Sequence, residues 1–211
     1  MSHPKEQRQE MGVFEAILAR RSVRSYTPQV VDRSIVDRLL EAAVRAPTAM
    51  HEEPWAFVVV QDEQILQQLS ERAKPLFVEE VRHRNAQGAH HSFEHFTKPD
   101  FDIFHGAGTL IIICAKPLGP FVVADCWLAA ENLMLAACAL GLGSCVIGSA
   151  VAALNIRKVK IELGIPDDYS VIVPIVVGVP SGQIPASPRQ KPLVLSYKHN
   201  AGEGGNGKQK L

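Results

Sequence analysis

The sequence has no surplus of charge: Lys plus Arg number 22 and Asp plus Glu number 22, a net charge of +0 at pH 7. A chain without a basic field cannot hold nucleic acid or an anionic membrane surface at range, which excludes both as general partners. Cysteine is sparse as well, at Cys114, Cys126, Cys138 and Cys145, with no C-x-x-C pair. If Cys126 and Cys138 share a helix, about 18 Å of rise separates them, far beyond disulfide reach. The cysteines therefore read as buried fillers. The opening MSHPKEQRQEMG lacks the apolar core of a secretory signal, so the expected location is the reducing cytoplasm. G-K-[ST], G-x-S-x-G and H-E-x-x-H are missing, which leaves P-loop, hydrolase-elbow and zincin chemistry without an anchor. Gly141, Gly143 and Gly148 follow a helix pattern instead of a strand and lack the G-x-G-x-x-G spacing, which removes a dinucleotide loop there.

What is present is the material of a packed domain: 46% hydrophobic and 21% charged residues over 211 positions, too apolar for wholesale disorder. That length fits one domain, expected over 13–198 between tails at 1–12 and 199–211 that are polar or Gly-rich. Residues 121–140, FVVADCWLAAENLMLAACAL, resemble a membrane span until Asp125, Glu131 and Asn132 are noticed. An Asp at the bilayer centre costs roughly 2.5–3.5 kcal/mol, so a core helix, apolar almost all round, fits better. Covering such a helix favours a homodimer.

Helical spacing marks Val13, Phe14, Ile17 and Leu18, and again Ile35, Val36, Leu39, Leu40, Ala43 and Val44, with Asp32 or Ser34 as cap and Pro47 beyond the end. WAFVVV at 55–60 reads as a buried strand, and Asp62 caps a short helix carrying Ile65, Leu66 and Leu69. From Lys74 to His105 no period is sustained, and an irregular excursion or lid is expected. Strands follow at 109–115, 144–147 and 170–179, the last with Pro174, which argues for an edge position or a bulge. Gly141 and Gly143 stop the long helix, and a further helix is expected over 153–163 before Gly164 and Pro166. The order does not alternate cleanly, so the expected class is α+β.

Arg20, Arg21, Ser22 and Arg24 offer three forked cations and a hydroxyl within five residues, a seat for phosphate or a polarised carbonyl. The bland alternative is a basic turn completing a helix dipole. Arg189 and Lys191 in SPRQKP form a second cationic pair. Together with APTAMHEEPWAFVVV at 46–60, AENLMLAACALGLGSCVIG, ELGIPDDY and VPIVVGVP, these clusters resemble the FMN-dependent nitroreductase family over roughly residues 13–195. That family has a basic R-x-S-x-[RK] turn, an A-P-S-x-x-N-x-Q-P-W loop, a long dimer helix and a closing P-x-x-[RK]-P.

The resemblance implies a central mixed, largely antiparallel sheet flanked by helices in an intertwined homodimer with FMN sites at the subunit interface. It implies that Arg20, Ser22, Arg189 and Lys191 hold the phosphate and ribityl end, with Arg21 in the same basic turn. Arg24 would face the pyrimidine edge, where a fixed cation raises the flavin potential. Pro47, Thr48, Ala49 and His51 would lie along the ring or ribityl chain, and Val146, Ile147, Gly148 and Ser149 would offer backbone donors near it. The implied reaction is ping-pong: NADH or NADPH gives a hydride to the flavin, and a small aromatic nitro or quinone-like acceptor takes two electrons. No protein acid or base is assigned. Other flavin chemistry stays open (reductive dehalogenation, dehydrogenation, flavin destruction), as does a non-catalytic FMN-binding protein. His51 and Glu53 stand where the family has Asn and Gln, and no acidic side chain occupies 146–149. No metal site is expected; His91 and His95 are the best-spaced pair, and Phe93, Phe96 and Phe104 could either stack on acceptors or pack a lid.

Overall fold

The run TLIIICA forms strand β2, Thr109–Ala115, buried at every position, because helices cover both of its faces. Alternate residues separate cleanly. Leu110, Ile112 and Cys114 enter one core cluster, and Ile111, Ile113 and Ala115 enter the other. The computed structural model describes residues 11–86, 98, 100–182, 185 and 188–198; of the tails expected at 1–12 and 199–211, residues 1–10 and 199–211 lie outside that range.

Four strands, β1 (Trp55–Val60), β2, β3 (Gly143–Val146) and β4 (Ser170–Gly178), form one sheet in the order β1-β2-β4-β3. All three pairings are antiparallel, and a single parallel bridge joins Ser22 to Ser144. The α+β expectation holds. β1 is an edge strand, half-buried along most of its length, so the buried strand expected at 55–60 is corrected: one side of its ladder has no neighbour among the described residues.

On the first face lie α3 (Glu63–Ala86), α5 (Val151–Leu154) and α6 (Arg157–Glu162). On the second lie α2 (Arg33–Ala43) and α4 (Val122–Ala139), with α1 (Val13–Ala19) against α4. Asp62 caps α3 as expected, Oδ1 accepting the Ile65 N–H at 2.9 Å. The helix does not stop near Leu69, however. It runs through Pro75, because the buried stripe Leu66, Leu69, Ala73, Val78 and Val81 continues past the proline. Burial of that stripe offsets the one lost backbone bond, and the irregular excursion expected from Lys74 is corrected for residues 74–86.

The helix expected over 153–163 is broken in two. Asn155 donates Nδ2 to the carbonyls of Val151 and Val171, each at 3.0 Å, and accepts the Val171 N–H at 2.9 Å. The chain leaves helical geometry there to tie α5 to the start of β4. The long helix does end where its glycine says: Gly141 (φ 77°) lets Gly141 N–H reach Cys138 O and Leu142 N–H reach Ala137 O.

Pro174 lies in an interior strand, which corrects the edge reading, and the bulge falls beside it at Ile172. The bulge switches faces: Val171 enters the first cluster, whereas Val173, Ile175 and Val177 enter the second. Pro174 O accepts the Ile147 N–H at 2.9 Å. In an antiparallel ladder the proline nitrogen faces the same way, so it has nothing to give Ile147 O. That carbonyl instead accepts Ala150 N–H at 3.0 Å and opens the 3-10 turn Gly148–Ala150.

Asn155→Ala strands both backbone groups of Val171, and unsatisfied buried groups cost about 1–3 kcal/mol. We expect a drop in Tm of roughly 2–12 °C for a chain of this size, measured by thermal unfolding, with Asn155→Asp losing less because it still accepts the Val171 N–H.

Candidate functional site

The basic turn follows α1 and is pressed onto β3. Val23 N–H donates to Ser144 O at 3.0 Å, and Val23 is buried against a position that tolerates no side chain: a Cβ on Gly143 would lie 2.6 Å from Val23 Cγ2. Because Ile147 faces β4, alternation turns the main-chain groups of Ser144 and Val146 to the open edge of the sheet, beside the turn. The bridge from Ser22 to Ser144 is parallel, so the turn runs alongside β3, and Val146, Gly148 and Ser149 follow further along that strand's chain.

The four basic-turn residues do different things. Arg20 Nε pairs with Glu131 Oε1 of α4 at 3.6 Å. Arg21 turns back, its Nη1 donating to Leu18 O at 2.6 Å and Arg20 O at 2.8 Å, so it completes the end of α1, as the helix-dipole alternative requires. Its Nε is buried without a partner among the described residues. Arg20 and Arg21 share a cleft of about 110 Å³ with Cys138, Leu142, Ser144 and Pro180. Ser22 and Arg24 are exposed. The positive potential reaches β3: burial pushes the Cys145 thiol up, and Arg24 and Arg20 pull it partway back.

Of the four residues expected along the ring, Ile147 points inward. Its side chain is 3% exposed in the core and its N–H is already spent on Pro174 O, so it has no donor to offer a ligand. Gly148 is exposed, and a Cβ added there would meet nothing within 4 Å. Open space in front of a backbone turn, on the strand whose open edge carries a basic turn, suits a flat ligand with an anionic tail.

The second cluster lies elsewhere. The loop after α2 carries Pro47, Thr48, Ala49 and His51 and returns to β1 through buried Pro54. Met50 (φ 55°), His51 (φ 57°) and Glu53 (φ 44°) all adopt left-handed backbone, a concentration of strain costing of order 1–3 kcal/mol per residue. Ala49 N–H donates to Asp125 Oδ1 at 3.2 Å, in the first turn of α4, whereas Cys138 beside Arg20 and Arg21 is in the last. Asp125 and Cys138 are about 20 Å apart along the helix. One chain therefore does not bring its two clusters together. Arg189 and Lys191 stand exposed on the coil 188–198.

Sequence reading missed Glu131 and Asp125 as site residues. The signal was there: each is an acid in a helix of Ala, Val and Leu. Phe104 is 1% exposed and packs in the core, and His105 meets Phe101 edge-on with centroids 6.0 Å apart. His83 is exposed on α3, while His90, His91, His95, Phe93 and Phe96 lie outside the described residues. Among the described residues no group of three or more His, Cys, Asp or Glu could hold a metal ion. All four cysteines are free, and burial pushes the thiol of Cys114 up to about 12 and that of Cys126 up to about 11. They are inert fillers at neutral pH.

The nitroreductase family model matches residues 17–179, a span that includes both clusters and the whole sheet. The chain belongs to the nitroreductase family. A candidate NADH dehydrogenase/NAD(P)H nitroreductase of Archaeoglobus fulgidus is 30% identical over 175 residues, covering 81% of this chain and 86% of that protein. An iodotyrosine deiodinase of Thermotoga neapolitana is 25% identical over 185 residues, covering 86% and 96%. The crystal structure of a nitroreductase with bound FMN from Bacteroides fragilis superposes with a TM-score of 0.75 at 28% identity, covering 89% of this chain and 98% of that one.

In this nitroreductase-family chain the seat of the basic turn depends on Gly143 having no side chain. Gly143→Ala should overpack Val23 and cost about 1–3 kcal/mol, read by denaturant unfolding, and Val23→Ala in the same chain should recover part of the loss by vacating the space.

Proposed function

We propose that the protein is an FMN-dependent oxidoreductase that takes electrons from NADH or NADPH by a ping-pong mechanism and passes them to a small aromatic nitro or quinone-like acceptor. The observation that carries this reading is the basic turn fixed along the open edge of β3, the strand that leads into the unobstructed backbone of Gly148. The residues present fit an anionic cofactor of that kind, through Arg20, Arg24 and the Ser22 hydroxyl. When bound, FMN supplies the hydride and two-electron chemistry. The chain's own part is to hold the phosphate end with Arg20 and Ser22, joined by Arg189 and Lys191 from the C-terminal coil. Arg24 keeps a positive charge at the pyrimidine edge, which stabilises negative charge gathered there and raises the potential. Val146, Gly148 and Ser149 supply main-chain groups along the ring. No side chain here is assigned as acid or base.

A homodimer completes the site. The turn lies by the last turn of α4 and the loop by its first. A two-fold partner with its α4 antiparallel to this one therefore sets the Pro47–His51 loop of one copy beside the basic turn of the other. The surface supports such a pairing: Phe14 is 80% exposed, Leu18 74%, Val123 52% and Trp127 46%, an apolar area of α1 and α4 that water does not favour. Free thiols fit a cytoplasmic setting.

Reductive dehalogenation is the second reading, favoured by the similarity to the Thermotoga deiodinase across 96% of its length.

The test is anaerobic stopped-flow on the yellow holoprotein. Mixing with NADH or NADPH should bleach the flavin band, and a nitroaromatic or quinone should restore it; no bleaching with either nucleotide overturns the proposal. Release of iodide from an iodophenol after reduction would select the second reading. Arg20→Ala should raise the Kd for FMN about 10–100-fold, the worth of one charge-assisted contact, by fluorescence titration. Arg24→Met should lower the flavin midpoint potential.

A further inference from the structure

Among the described residues Asp125 is the only carboxylate buried in the chain, at 3% exposure in the first turn of α4. The helix does not need it for packing, since Cys126, Ala129 and Ala130 fill the same layer, and an apolar residue there would avoid the desolvation of a charge. Its contacts point outward from α4 to the loop. Oδ1 accepts the Ala49 N–H at 3.2 Å, and Ala49 O in turn accepts Glu52 N–H at 3.2 Å. Both of these hydrogen bonds run through Ala49. On either side of Glu52 stand the left-handed residues Met50, His51 and Glu53. Asp125 Oδ2 is out of solvent with no partner among the described residues, and a buried carboxylate oxygen left in that state is normally satisfied by a second donor.

Resting on the FMN reading above, we infer that Asp125 is the positioning residue of the ring-side loop. Oδ1 fixes Ala49 and so holds Pro47–His51 in its strained path. Oδ2 takes a second N–H or O–H of the same loop when the loop is covered by flavin and the partner subunit. Asp125 acts through the loop and does not touch the reacting atoms. Its loss loosens the wall against which the ring lies, which changes the cofactor's affinity and its spectrum, and raises KM more than it lowers kcat.

The experiment titrates FMN into apoprotein of the wild type, Asp125→Ala, Asp125→Asn and Cys126→Ala, recording flavin fluorescence and visible circular dichroism. Asp125→Asn keeps the core volume and an acceptor for Ala49 but puts an amide where two acceptors stood. Both Asp125 variants should raise the Kd more than threefold, Asp125→Ala the more, with an altered flavin dichroism. Cys126→Ala, a buried neighbour on the same helix, should leave both unchanged. Either Asp125 variant binding within threefold of wild type overturns the inference, and so does an equal effect of Cys126→Ala. If the wild type itself binds no FMN, it is the functional reading that falls. Amide exchange at Ala49 in the apo chain then decides the inference alone: faster in Asp125→Ala supports it, and unchanged exchange overturns it.

Discussion

A missing N–H governs the site. Pro174 accepts from Ile147 but cannot donate back, so the β3–β4 ladder ends there and the Ile147 carbonyl goes to Ala150. A residue with an N–H at 174 would extend the ladder by a bond and keep the chain in strand geometry. The proline converts the next three residues into a 3-10 turn, with Gly148 exposed at the sheet's edge. An interior strand is an unusual position for proline, and it is tolerated because the lost bond falls where the edge strand is finishing. The same step sends the Ile147 side chain into the core and leaves Gly148 exposed, with Val146 and Ser149 half-buried beside it.

The turn at Arg20–Arg24 depends on this edge being open. Val23 borrows Ser144 O, a carbonyl that has no strand partner on that side, and Gly143 lets the Val23 side chain sit directly on the strand. Arg21 closes α1 with two carbonyl contacts, which frees Arg24 and Ser22 to face solvent. A chain with zero net charge thus carries a local cationic site whose strength comes from arrangement, and the field is felt by the Cys145 thiol on the neighbouring strand.

Much of this was legible in the sequence, and what was not has a common cause. Thr109–Ala115, Trp55–Val60 and the α2 and α4 patterns declare themselves because their periodicity is local. Gly141 marks the end of α4 because a left-handed residue is a local demand. The run of α3 past Pro75 was not legible, because the cost of the proline is local but the burial of Val78 and Val81 that outweighs it is tertiary. The break at Asn155 is invisible to periodicity, since it is made by a strand 16 residues later in the chain. The family's motifs identified the basic turn and the loop, but not that α4 holds them at opposite ends, which needs the fold.

That separation explains why the central helix carries its acids. Asp125 is buried, where alanine or leucine would pack without the desolvation of an acid, whereas Glu131 stands exposed on the same helix. Here each acid stands where α4 meets one half of the site: Glu131 restrains the Arg20 guanidinium and Asp125 holds the loop through Ala49. In the homodimer proposed above, a two-fold axis would bring the two ends together, and one helix would serve two sites by contributing a different acid to each. The exposed apolar residues Trp127 and Leu128 lie between Asp125 and Glu131 in sequence, so the surface proposed for pairing and the two acids are carried by the same two turns of helix. On that proposal association and assembly of the site are one event, and a chain that failed to pair would keep its core, its sheet and its basic turn while lacking the wall that a partner's loop would provide.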